Sequence, residues 1–181
     1  MKICFLLLLL ALFAGTCHGA EITDAYGYLL GEKLNPRDII AKRPGMGPHD
    51  VIAKEKARAV KKVQVYTAPD TNLIFSITGL NSFQTMDECA TMSTAVSFFL
   101  RKKYAEVIDE TSPLGDGQRE SGVRYVDLQG GKALSIICVE GKEKAILAVQ
   151  YIDTVMAEQA AEKWRKNEQG AADPDGEGVS L

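Results

Sequence analysis

Apolar and polar residues alternate over much of the chain after residue 62, and this pattern predicts five strands. Turn residues such as Pro69, Asp70 and Gly141 separate the alternating segments, as expected between strands. The predicted strands are residues 63–69, 72–80, 123–129, 132–141 and 144–152. Because most links between consecutive strands are short, we expect antiparallel pairing through hairpins.

Two further segments repeat their apolar residues at helical spacing. Residues 85–107 place Cys89 and Met92 on one stripe, and residues 155–167 form a second such segment. The order of elements is β-β-α-β-β-β-α, and a helix with one apolar stripe must bury it against another layer. We therefore predict a two-layer α+β domain over residues 63–167, with a mainly antiparallel sheet of about five strands and both helices packed on one face.

The first twenty residues carry a different pattern, typical of export. Lys2 is followed by an apolar run over residues 3–14, then by small residues, and the first acid is Glu21. This is the plan of a secretory signal peptide cleaved after residue 19 or 20. The run is shorter than the ~20 apolar residues of a membrane-spanning helix, and an uncleaved anchor is the alternative. Lipidation at Cys17 is a lesser alternative, because Thr16 is a poor fit before such a cysteine.

Removal of residues 1–20 leaves two of the four cysteines, Cys89 and Cys138. In the periplasmic or extracellular compartment that the leader predicts, two thiols indicate one disulfide; the alternative is two buried free thiols. Alternation puts Cys138 on one strand face with Leu134 and Ile136, while Cys89 lies on the apolar stripe of the first helix. A disulfide between them would join helix to sheet.

Residues 21–62 are less regular and strongly basic. A short aromatic and apolar run at 26–30 predicts an edge strand, and Pro and Gly interrupt the chain after this run. Between residues 33 and 62 there are nine bases against three acids. Five of these bases, which we call the basic segment, are Lys54, Lys56, Arg58, Lys61 and Lys62. The functional interpretation is an anionic partner, namely an envelope protein, an anionic lipid or a glycan surface. The alternative is a solvated surface, which explains most charge runs.

Composition fits one folded domain and narrows the choice of partners. Hydrophobic residues make up 46% of the chain and charged residues 25%, close to the values of globular domains. The net charge of −3 does not indicate a nucleic-acid partner, and we expect no membrane-spanning segment after leader cleavage. The last fourteen residues, 168–181, hold four acids and no base, which predicts a disordered acidic tail.

Few residues suit catalysis. His49 is the one histidine after the leader, and although Asp50 comes directly after it, no nucleophile motif accompanies the pair. Too few histidines and cysteines are left for a transition-metal site, so we expect no metal and no cofactor. The sequence favours a non-catalytic exported binding module with one disulfide; a small secreted hydrolase that uses His49 with carboxylates is the alternative.

Overall fold

The computed structural model describes residues 21–43, 47–104, 107–108, 120–127 and 131–172. The predicted signal peptide, with Cys17, lies outside these residues. The described elements are β1 (Asp24–Ala25), β2 (Tyr28–Leu29), a 3-10 turn (Pro36–Asp38), β3 (Ile39–Ala41), β4 (His49–Val51), β5 (Lys62–Thr67), β6 (Ile74–Phe83), α1 (Met86–Leu100), β7 (Val107–Ile108), β8 (Glu120–Asp127), β9 (Lys132–Glu140), β10 (Ala145–Asp153) and α2 (Thr154–Ala172). Among them, no helix has both the length and the apolar character that crossing a bilayer requires.

Eight of the strands form one antiparallel sheet in the order β3-β4-β5-β6-β10-β9-β8-β7. The five predicted strands correspond to the five long ones, which are β5, β6, β8, β9 and β10. The sheet has more strands than predicted because β3, β4 and β7 extend it at both edges. These strands have two or three residues each, too few for a two-residue period to be recognised in the sequence.

One face of the sheet, which we call the core face, carries fully buried apolar side chains such as Val65, Ile77 and Ile136. Helix α1 covers part of this face through Met92 and Val96. The rest is covered by residues 21–34, whose Ile22, Tyr28 and Leu34 belong to the same buried cluster. The strand expected at residues 26–30 therefore exists as β2, but it pairs with β1 above the core face and not at the edge of the main sheet.

The opposite face of the sheet, the second face, carries the residues that alternate with the core. Gln150 lies between Val149 and Tyr151 on β10, and its Nε2 donates to Ser76 Oγ at 3.0 Å. Helix α2 contacts β6, β9 and β10, and its buried Ala160 lies outside the main buried cluster. We conclude that α2 covers the second face. The α+β class is confirmed, whereas the placement of α2 differs from the expected single helical layer, because residues 21–34 already occupy the core face beside α1.

Both helices begin at side-chain caps. Thr85 Oγ1 accepts from the Glu88 N–H at 3.2 Å, as the capping-box spacing predicts, although the Glu88 carboxylate accepts from Gln84 N–H and not from Thr85. Asp153 Oδ1 accepts from the Met156 N–H at 2.9 Å and caps α2. Helix α2 continues to Ala172, so residues 168–172 are helical and not part of a disordered tail. Their Gln and Ala are good helix formers, and residues 173–181 lie outside the described part.

The predicted disulfide is present and joins α1 to β9. Cys89 and Cys138 are bonded, with Cα atoms 6.0 Å apart, and neither side chain is exposed. A second attachment holds the other end of α1, where the Tyr125 hydroxyl lies 2.9 Å from Ser97 Oγ and donates to Ser97 O at 3.0 Å. Helix α1 is therefore fixed to the core face at two separated points.

Candidate functional site

The basic segment lies on the loop that joins β4 to β5, together with the first residue of β5. Residues 52–61 form bends and turns, and not the extended strand that would place alternate charges on one side. Main-chain bonds hold this loop to the core. The N–H groups of Lys54 and Glu55 donate to Tyr26 O at 3.2 and 3.3 Å, and Lys61 N–H donates to Leu80 O at 2.9 Å. Both ends of the loop are therefore fixed to the core.

Two of the five bases are paired with carboxylates. Lys54 Nζ lies 2.8 Å from Asp38 Oδ2 and 4.5 Å from the centre of the Tyr28 ring. Lys62 Nζ lies 2.7 Å from Asp50 Oδ2. These pairs reduce the positive potential that Lys54 and Lys62 offer to an outside partner, so the two residues act mainly in holding the loop ends.

The other three bases, Lys56, Arg58 and Lys61, are exposed. Within the part of the chain that the structure describes, none of them forms an ion pair. We call them the free basic set. Because no described carboxylate is paired with them, they provide the positive field that this loop can offer to an anion.

Asp50 is held in its charged state by its neighbours. Hydrogen bonds from Lys62 and then from Gln64, whose Nε2 lies 2.8 Å from Asp50 Oδ1, lower the pKa of the Asp50 carboxyl. Burial opposes this effect, and the charge of Arg43 adds to it. Asp50 is therefore ionised at neutral pH and is already occupied by partners from its own fold.

His49 does not form an acid–base pair with Asp50. The two residues are adjacent on β4, so their side chains point to opposite faces of the sheet. His49 Nε2 lies 3.4 Å from Thr67 Oγ1, while Nδ1 is buried and has no hydrogen-bond partner among the described residues. Burial, followed by the charge of Lys42, lowers the pKa of the imidazole. His49 is therefore a neutral, half-buried side chain at pH 7, without a carboxylate from Asp50 to orient it.

Two isoleucines beside the basic segment were missed by the sequence interpretation. Ile40 is 68% exposed and Ile52 is 53% exposed. Their neighbours Ile39 and Val51 pair with each other and pack towards the core face, whereas Ile40 lies at a register shift between Ile39 and Ala41 and Ile52 comes directly after β4. The signal is present in the sequence as the doublets Ile39-Ile40 and Val51-Ile52, because two successive apolar residues in a strand cannot both be buried on one face.

Among the described residues, no group of three or more His, Cys, Asp or Glu side chains is arranged to hold a metal ion. No protein-family model and no curated protein matches this chain. The functional interpretation therefore depends on the geometry of the β4–β5 loop and its surroundings.

Proposed function

We propose that the protein is an exported, non-catalytic binding module whose β4–β5 loop binds an anionic partner. The observation that carries this proposal is the free basic set, which is exposed and forms no ion pair with any described residue, on a loop whose two ends are fixed to the core by main-chain hydrogen bonds. A fixed loop loses little conformational entropy on binding, and so more of its electrostatic attraction is retained as affinity. The leader pattern and the buried disulfide support the exported location.

Two more cations strengthen the positive field on this side of the sheet. Lys42 is close enough to His49, and Arg43 to Asp50, for their charges to lower the pKa of each neighbour. Both come directly after β3, the edge strand next to β4. The field therefore extends from the β4–β5 loop along the sheet edge, although the whole chain has a net charge of −3.

Retention on immobilised heparin, used as a general polyanion, tests the proposal. Because the chain is acidic overall, retention requires a local basic surface. Replacing Lys56, Arg58 and Lys61 by Gln removes three positive charges, and we expect elution at clearly lower salt concentration, since screened surface charge is the source of the attraction.

The matched control replaces three other exposed bases, Lys142, Lys144 and Arg165, by Gln, which changes the net charge equally. We expect little change in the elution of this variant. If both triple variants elute alike, the attraction is a property of net charge and the loop is only a solvated surface. If His49→Ala alone abolishes a measurable hydrolytic activity of the protein, the hydrolase interpretation replaces the binding module.

A further inference from the structure

Ile40 and Ile52 form an exposed apolar pair at the β3–β4 edge. Ile39 is aligned with Val51 in the antiparallel register, and Ile52 N–H donates to Asp38 O at 3.0 Å, which continues the ladder. Each exposed isoleucine comes directly after one member of the aligned pair, and the register shifts between Ile39 and Ala41, so that Ile40 is the extra residue of a bulge. Both isoleucines are exposed at this edge, and together they form one short apolar strip.

Basic residues follow both isoleucines closely in the chain. Ile52 opens the loop that carries the free basic set, and Arg43 lies three residues after Ile40. The two acids of this edge, Asp38 and Asp50, are paired with Lys54 at 2.8 Å and with Lys62 at 2.7 Å. This edge therefore combines exposed aliphatic side chains with the free basic set, which forms no ion pair with any of the described residues.

We propose that this surface docks on a phospholipid bilayer with anionic headgroups, with Ile40 and Ile52 inserting into the interface and the free basic set contacting the headgroups. The inference rests on the proposed function and names the class of partner. Apolar side chains together with cations are the combination that gives peripheral proteins their affinity for anionic membranes.

Other anionic partners fit this surface less well. An acidic glycan offers no apolar phase in which an isoleucine side chain could be buried. A protein partner would be expected to bind at aromatic side chains in pockets, whereas the exposed apolar side chains of this strip are aliphatic. A bilayer needs no complementary pocket, because its interface adapts to the shape of the strip.

Co-sedimentation with vesicles tests the inference. The probes are vesicles of phosphatidylcholine alone and vesicles containing about one third phosphatidylglycerol. We expect the native protein to bind the anionic vesicles at least tenfold more tightly, because each cation near an anionic surface contributes roughly a fivefold gain. Replacing both isoleucines by Ser should weaken that binding by roughly tenfold or more while leaving the elution from heparin unchanged. Replacing Lys56, Arg58 and Lys61 by Gln should weaken both vesicle binding and heparin retention.

A matched control is offered by the other exposed apolar pair, Phe98 and Phe99 on α1, which are 59% and 69% exposed. Replacing both by Ser removes more apolar surface, and we expect vesicle binding to be kept. A reporter variant, Ile52→Trp, adds one tryptophan to the single native Trp164. Its emission should move to shorter wavelength with anionic vesicles only, while native protein shows no shift.

The outcomes separate the two proposals. If heparin binding depends on the free basic set but anionic vesicles are not bound, the membrane inference is overturned and the binding module stands. If neither probe is bound, both proposals fail. If Phe98 and Phe99, rather than the isoleucines, are needed for vesicle binding, the docking surface is misplaced. If sedimentation equilibrium shows a dimer that the isoleucine changes dissolve, the strip is a contact between two copies and not a membrane surface.

Discussion

Breaking the bond between Cys89 and Cys138 should cost a large part of the free energy of unfolding. The two residues are 49 positions apart, and in the chain-entropy treatment a crosslink over such a loop is worth about 4 kcal/mol. For a domain of this size, that corresponds to a fall in Tm of about 8 to 16 °C. The loss arises mainly in the unfolded chain, which gains conformations when the loop is opened.

Two perturbations separate the crosslink from the packing of the sulfur atoms. Reduction by dithiothreitol keeps both buried thiols in place, whereas Cys89→Ala with Cys138→Ala also removes the sulfur atoms. Urea unfolding monitored by circular dichroism should show a similarly large decrease in the free energy of unfolding for both perturbations. The decrease should be slightly larger for the alanine pair because of the cavity that it leaves.

Hydrogen exchange adds a local readout. Without the disulfide, the first half of α1 keeps its apolar packing alone, while the second half keeps the hydrogen bonds between Ser97 and Tyr125. Amide protection should therefore fall more around Cys89 than around Ser97. The prediction would be contradicted if reduction lowered the free energy of unfolding by less than about 1 kcal/mol and left amide protection uniform along α1. The crosslink would then constrain neither the unfolded chain nor the helix.

Two further predictions concern hydrogen-bonded side chains. Tyr125→Phe removes both bonds to Ser97 in a fully buried site, so it should lower the free energy of unfolding by roughly 1 to 3 kcal/mol in urea titrations; an unchanged urea midpoint would contradict this. Because Lys62 and Gln64 lower the pKa of Asp50 in the folded state, the stability from its ionisation is present above the unfolded pKa of roughly 4. It is lost as the pH falls through the folded pKa, so the urea midpoint of Asp50→Asn should depend less on pH than that of the native protein over this acid range. Identical slopes for the two proteins would refute the assignment.

The sequence predicted those helices and strands that are long enough for their repeat of apolar residues to be recognised. The strand 132–141 was predicted one residue longer than β9. The bond between Cys89 and Cys138 was predicted from the cysteine count and the export pattern, and the face assigned to Cys138 indicated that it joins helix to sheet. Residues 21–34 were not interpretable in this way, because β1 and β2 have two residues each and their burial comes from packing on a distant surface. That packing also decides the side on which α2 lies.

The candidate site was also predicted only in part, because its charge content is local in the sequence whereas its ion pairs depend on the fold. The sequence predicted that cations would be concentrated between residues 54 and 62, since charge composition is independent of folding. It could not separate Lys54 and Lys62 from the free basic set, because Asp38 and Asp50 reach them only through the pairing of β3, β4 and β5. Ile40 and Ile52 were passed over because β3 and β4 are too short to be recognised from their pattern, so residues 39–52 were not assigned to strands.

The position of β6 beside β10 sets the order in which the protein can fold. Ile77 on β6 aligns with Tyr151 on β10, so the centre of the sheet closes between segments that are far apart in the chain. Such pairings are slow to form because a long loop must close first. Until β10 has been synthesised, the hairpin of β5 and β6 has one open edge in the middle of the future sheet. We expect a chain released before residue 145 to stay unfolded, a state that is compatible with threading across a membrane before folding.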